Sequence, residues 1–253
     1  KKTPSTESVT PEGVTIQRLH EIQDLLAEHW ERTHVTTAID PKHDGVFGVS
    51  FYVLRLLDEL MGIGVGNGIL GRLGIRTLFE AHVNLRYLLS KDDPELWKKW
   101  RSYGAGQAKL NALKFDDNLD PPKYIDASSI EQIAGEDIWE EFLSINLASW
   151  SGADLRKLSE RVNLKTGYDT HYSWTSGYAH GNWGAVRESC FQTCGNPLHR
   201  LHRYPERRHM EDVVEEATMI VDTILDDLAT TYPTFQYRLR QSKENSEQSL
   251  KER

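Results

Sequence analysis

Apolar residues recur at intervals of three and four along most of the chain, and that period predicts helices rather than strands. Ile16, Leu19, Ile22, Leu25, Leu26 and Trp30 mark a first amphipathic helix, with Thr15 as N-cap and an end before Asp40-Pro41. Phe47 to Met61 is apolar through Phe51, Val53, Leu54, Leu57 and Leu60, and its length favours a second helix. Behind the start signal Asp92-Asp93-Pro94-Glu95, the residues Leu96, Trp97, Trp100, Tyr103, Ala108, Leu110 and Leu113 carry another helix to about Phe115. Asp116 to Ser129, with Pro121-Pro122, reads as an exposed loop. Short helices are expected within Ile130 to Trp150, through Trp139, Phe142 and Leu143, and over Asp154 to Val162. Met210 to Leu228 places Val213, Val214, Ala217, Ile220, Val221, Ile224 and Leu228 on one side and acidic residues on the other, and Pro233 ends it. Ser189 to Arg208 reads as irregular, and no strand pair or repeat is expected.

The centre of this pattern is Gly68 to Leu89, six turns of helix that are apolar except for Arg72, Arg76, Glu80 and Asn84. A spacing of four drifts by only about 40° per step on a helix, so these four form one slowly turning stripe. Charges on a helix that is apolar around most of its circumference must be paired or must line a pocket. Gly62, Gly64, Gly66 and Gly68 break the chain ahead of it. The preceding strand and following Lys-Ser/Thr of a phosphate-binding loop are missing, so this turn reads as a hinge.

Tyr168 to Glu188 interleaves small residues with Tyr172, Trp174, Tyr178, His180, Asn182, Trp183 and Arg187. The expectation is one helix packed closely against the central one through Gly177, Gly181 and Gly184, bringing His180 near Arg76 and Glu80.

The architecture that follows is all-α: a multi-helix bundle over 14–232, with a polar arm at 1–13 and a polar tail at 233–253. The 30 Lys and Arg stand against 38 Asp and Glu, a net charge of −8, which excludes a generally basic nucleic-acid-coating surface and leaves room for a local basic pocket. No apolar run is long enough to span a membrane and the N-terminal stretch lacks a signal-peptide core, so a cytoplasmic protein with no membrane partner is expected. The two cysteines, Cys190 and Cys194, fit a reducing compartment.

The RTLFEAHVNLRYLL helix, the Trp- and Tyr-bearing helix after it and the later SGYAHG segment resemble an uncharacterised bacterial helical family related to the HEPN domains. The HEPN signature is Arg, four to six residues, then His, and Arg76 to His82 has that spacing, with Thr77 where the family usually carries Asn or Asp. Arg203 to His209 satisfies the same spacing. The resemblance implies an all-helical, commonly dimeric protein, often an RNA-cleaving toxin or phage-defence effector. RNA or a nucleotide, a second copy and a partner protein are the partners it implies, and no cofactor is assigned.

In that reading Arg76, Glu80 and His180 are catalytic: His180 moves a proton, Arg76 stabilises phosphate charge and Glu80 positions one of them. Arg72, Asn84, Tyr178, Asn182 and Arg203 are substrate-binding, Arg203 standing for a basic loop with Arg200, Arg207 and Arg208. Each residue also has a structural reading. Arg76 and Glu80 make an i,i+4 ion pair, His180, Tyr178 and Asn182 make interhelical hydrogen bonds, and the basic loop is a solvated face. His82 lies about 120° around the helix from Arg76 and reads as a packing or surface residue. Cys190, Cys194, His199 and His202 have the atom types for zinc, but their spacing is too short for the common frameworks, so no metal is assigned. The alternative function is a non-catalytic helical sensor or adaptor that binds an anionic ligand or a protein.

Overall fold

Local chemistry sets the starts of the helices. In the computed structural model, which describes residues 14–35, 38–116, 121–135, 150–199 and 201–240, helix α1 (Ile16–Thr33) is capped by Thr15, whose side chain accepts from the Arg18 N–H. Helix α2 (Pro41–Gly62) is capped by Asp40, whose carboxylate accepts from the Lys42 and His43 N–H groups, with Pro41 in the first turn. Helix α3 (Ile69–Lys91) is the expected central helix and stops at Asp92 in a left-handed conformation, φ 44°. Helix α4 (Pro94–Asp116) begins where the Asp93 carboxylate accepts from the Glu95 N–H.

The chain continues through α5 (Ala127–Gly135), α6 (Leu155–Arg161) behind the Asp154 cap, and a single turn α7 (Lys165–Gly167). A π-helix (Tyr168–Tyr172) follows, then α8 (Ser173–Ala179), α9 (Trp183–Cys190), strands β1 (Phe191–Thr193) and β2 (Arg203–Pro205), and α10 (Val214–Thr231). The arm 1–13, the helix expected through Trp139, Phe142 and Leu143, and the tail beyond 240 lie outside the described residues.

Helices α2, α3 and α10 pack on one another, α1 covers α2, α4 lies against α2 and carries α5, and α6, the π-helix and α8 flank α3. Phe47, Leu54, Leu57, Leu78, Val83, Ile224 and Leu228 are fully buried between these helices. Each such side chain contributes roughly 1.5–3 kcal/mol through burial. This is the all-α bundle that the apolar period predicts. Among the described residues, no helix is long and apolar enough to cross a membrane.

The glycine turn is closely packed against its neighbours. A Cβ on Gly71 would lie 2.3 Å from the Gly66 carbonyl oxygen, so the first turn of α3 sits directly on it. The buried Arg72 donates through Nη1 to the Gly66 carbonyl at 3.1 Å and to the Glu211 carbonyl at 2.7 Å, pinning the turn to the approach of α10.

Three expectations are corrected. Tyr168 to Glu188 is not one helix: it starts as a π-helix, and it breaks between α8 and α9, where Gly181 has φ +59°. The stretch Ser189 to Arg208 contains an antiparallel hairpin that pairs Phe191 with Pro205, Gln192 with Tyr204 and Thr193 with Arg203. The ordered fold also runs past Tyr232. Phe235 and Leu239 are buried in the core, and the Leu239 and Arg240 N–H groups donate to the Asp222 carboxylate at 2.8 and 3.2 Å.

Two core histidines are held in their neutral form. The Thr33 hydroxyl donates to the His29 carbonyl at 2.8 Å and so accepts from His43 Nε2 at 2.9 Å. Both imidazoles are held below the ordinary 6.5, His29 by burial and then Arg32, His43 by burial and then His34, against opposing pulls from Asp40 and Asp44. Below 6.5 the unfolded chain takes up protons that the folded one refuses, so their contribution is present above that pH and lost as pH falls through the depressed folded values. Chemical-denaturant melts are expected to show stability falling as pH is lowered from about 6.5, with a shallower slope in His43→Phe. An unchanged slope in that variant, or stability rising on acidification, would contradict this account.

Candidate functional site

The polar stripe of α3 divides among separate environments. Arg72 is engaged by the backbone carbonyls that it pins and also acts on the Tyr178 hydroxyl. Arg76 donates through Nη2 to the Tyr172 hydroxyl at 2.9 Å, its guanidinium lies 4.8 Å from the centre of that ring, and Nη1 stands 3.8 Å from Glu80 Oε2. Burial, and then the Glu80 charge, push the Tyr172 phenol up, so it stays neutral beside the guanidinium. Arg76 Nε is buried with no hydrogen-bond partner. One and two turns further on, Glu80 and Asn84 open onto a cleft.

The register of the flanking segment explains why His180 is not there. A Cβ on Gly167 would meet Phe79, the His171 ring lies 6.0 Å from Phe79, Tyr172 meets Arg76, and Tyr178 packs with Leu73. The segment therefore runs antiparallel to α3 and reaches the first turns of α3 by Tyr178. His180 comes two residues later, in the exposed turn that ends α8. Among the described residues no hydrogen bond or ion pair joins it to Arg76 or Glu80. The aromatic placed beside Arg76 is Tyr172.

The other candidates are held elsewhere. The Tyr178 hydroxyl donates to the Glu188 carboxylate and lies 3.8 Å from Met210 Sδ. Burial, and then the Glu188 bond, push its pKa up to about 12. Asn182 is exposed at the start of α9 and its N–H donates to the Gly177 carbonyl at 2.9 Å. Arg203 sits on β2 with its guanidinium 5.4 Å from the centre of the Trp183 ring. His82 is buried on the α10 side, with Nε2 3.5 Å from Asp227 Oδ2, and Arg86 Nε donates to the same oxygen at 2.7 Å. Arg76 and His82 thus point toward different neighbours, as their angular separation requires.

The cleft at Glu80 and Asn84 has a volume of about 580 Å³ and is walled by Trp100 and Tyr103 from α4 and by Trp150, with Arg101 at its edge. A smaller cleft of about 320 Å³ shares Glu80, Asn84 and Trp100 and reaches Tyr52 on α2. Carboxylate, amide, guanidinium and aromatic faces therefore meet in one opening. The periodicity of α4 identifies Trp100 and Tyr103 only as helix positions. Their half-buried state, which makes them a wall, depends on how α4 docks on α2 and α3. Two side-chain groups could hold a metal among the described residues: Cys194, His199 and His202, and separately His34, His43 and Asp44, each with ligand atoms within 4.8 Å of one another. Cys190 belongs to neither.

Two substitutions separate these environments. The Glu80 side chain is 42% exposed and its contact with Arg76 is long. Glu80→Ala is therefore expected to cost less than about 1 kcal/mol. Asp227 is 10% exposed and faces both Arg86 and His82. Asp227→Ala, which strands a guanidinium at the core's edge, is expected to cost roughly 2–3 kcal/mol. Equal losses in denaturant melts, or the reverse order, would mean that the two pairs are not partitioned in this way.

A family model described as a family of unknown function, DUF5677, matches residues 60–195, from the end of α2 to the residue after Cys194. No curated protein and no solved structure matches the chain. The match spans more than half of the 253 residues and holds all the residues that line the larger cleft, from Glu80 of α3 to Leu158 of α6. The chain belongs to this DUF5677 family of unknown function.

Proposed function

We propose that this protein is a helical binding module for a nucleobase-bearing ligand, a nucleotide or an unpaired RNA base held in the cleft over Glu80 and Asn84. The observation that carries the reading is the composition of that opening. Trp100, Tyr103 and Trp150 offer π faces beside a carboxylate and an amide within a volume that suits a ligand of nucleotide size. A base stacks on an aromatic wall whatever its identity, and the stack is worth about 1–3 kcal/mol. Glu80 then accepts from ring or exocyclic N–H groups, and Asn84 both donates and accepts. Arg101 lines the same opening. The HEPN resemblance points to the same ligand class.

Binding rather than cleavage is the better-supported half of that resemblance. Cleavage would need an imidazole beside Arg76. His180 stands in an exposed turn past the start of α3, and His82 is buried toward Asp227. Arg76 itself is occupied by Tyr172 and Glu80.

Tryptophan fluorescence of the full chain, titrated with nucleoside monophosphates, is expected to quench and saturate. Trp100→Ala should weaken the apparent Kd by about tenfold, the equivalent of one lost stack. Glu80→Gln should change the preference among bases, because an amide presents one acceptor and one donor where the carboxylate presents two acceptors. Absence of saturable quenching at millimolar nucleotide, or an unchanged Kd in both variants, would sink the reading.

A further inference from the structure

We propose that the tip of the β1–β2 hairpin is a zinc site formed by Cys194, His199 and His202, independent of the cleft and of whatever it binds. The ladder pairs Thr193 with Arg203, so Cys194 and His202 are the next residues across from one another, and the Cys194 N–H donates to the His202 carbonyl at 3.0 Å. Hydrogen bonds tie the residues between them together. Leu198 N–H donates to Asn196 Oδ1 at 3.0 Å, His199 N–H to the Asn196 carbonyl at 2.9 Å, and His202 N–H to the His199 carbonyl at 2.9 Å. The result is that Cys194 Sγ lies 3.7 Å from His199 Nδ1, and the rings of His199 and His202 are 5.8 Å apart.

Those separations are close to what a tetrahedral ion requires. With Zn–S near 2.3 Å and Zn–N near 2.0 Å, the S···N edge of the tetrahedron is about 3.5 Å and the N···N edge about 3.3 Å. The sulfur and the first imidazole already stand at that edge length. All three ligand atoms lie within 4.8 Å of one another, so closing on the ion asks for side-chain movements of about 1.5 Å at most, with both imidazoles exposed and the thiol half-buried. One thiolate with two imidazoles is a soft-to-borderline set that favours zinc over magnesium or calcium. Binding displaces the thiol proton to solvent as the S–Zn bond forms, and takes both imidazoles in their neutral form.

The sequence argued against zinc because the four Cys and His were measured against a finger with two distant ligand pairs. The hairpin removes that objection. Cys190 lies before β1, roughly 13 Å back along an extended strand from Cys194, so it is not a ligand. The three that remain need no long spacer, since a ladder brings its own two ends together. This leaves one coordination position for water or an outside donor.

The loop also has the structural need that such a clip meets. Leu198 and Leu201 are 89% and 79% exposed, so the tip buries no apolar core of its own, and strands of three residues are too short to hold a hairpin unaided. Fixing Cys194 to His202 through an ion would hold β2, and with it Arg203 against Trp183, in register on α9.

The full chain, stripped with chelator and reloaded with cobalt, tests this without any assay of activity. The expected result is a thiolate-to-cobalt charge-transfer band with the strong visible absorption of a tetrahedral ion, displaced by one equivalent of zinc. Both signals should be lost in Cys194→Ser and in the double variant His199→Asn with His202→Asn, and kept in Cys190→Ser. Far-ultraviolet circular dichroism should remain at wild-type level in every case, because the ligands are at the surface. Weak octahedral cobalt absorption with no charge-transfer band would overturn the proposal. So would a tetrahedral spectrum that survives Cys194→Ser or that depends on Cys190.

Discussion

Helix α3 is enclosed by α2, α10, α4, α6, the π-helix and α8, and this enclosure is the constraint on which the rest of the structure depends. A charged side chain on such a helix cannot be left among apolar neighbours, because an unpaired buried charge costs more than a local packing contact returns. The polar groups on α3 therefore have to find partners, on other elements or within the helix. Arg72 is answered by the carbonyls of Gly66 and Glu211, Arg76 by Tyr172 of the π-helix, and Arg86 by Asp227 of α10. Thr77 is answered within the helix, its hydroxyl donating to the Leu73 carbonyl at 2.9 Å. Glu80, whose contact with Arg76 is long, and Asn84 also face an opening, and they are the residues on which a ligand could act.

This explains how much could be read from the sequence. The helices were legible because each shows a sustained apolar period and several carry a capping residue at the right place, as Thr15, Asp40 and Asp154 do. The stripe was legible as well, as a set of positions. Its meaning was not. A drift of about 40° per step amounts to about 120° between Arg72 and Asn84, enough to carry the stripe past several different neighbours. Which neighbour stands at each level depends on where α8 and α4 dock, and periodicity contains no register between helices.

His180 shows the same limit more sharply. The small residues around it suggested close packing against α3, and the segment does run antiparallel along it. The offset is about two turns from what convergence on Arg76 would need, because Gly167 rather than Gly177 makes the tightest approach, against Phe79. Gly181, one of the three glycines read as a packing surface, is instead the positive-φ residue that ends the helix. The hairpin and the folded-back tail were missed for a related reason. Strands of three residues show too little alternation to register, and Phe235 and Leu239 are two apolar residues in a polar stretch whose burial depends on Asp222 receiving the backbone behind them.

The extent of the family match acquires a physical meaning against this background. Residues 60–195 include α3 but not α1, α10 or β2. Within that span, His82 and Arg86 face a carboxylate that belongs to α10, and Arg72 donates to a carbonyl at Glu211, also outside it. Val83, Leu78 and Ile75 are buried in the same core cluster as Ile220, Val221 and Ile224. The matched span is thus the part of the chain that carries the cleft, and it is not a unit that could satisfy its own polar groups. In this chain Arg72, His82 and Arg86 all depend on partners that follow the hairpin: the Glu211 carbonyl and the Asp227 carboxylate.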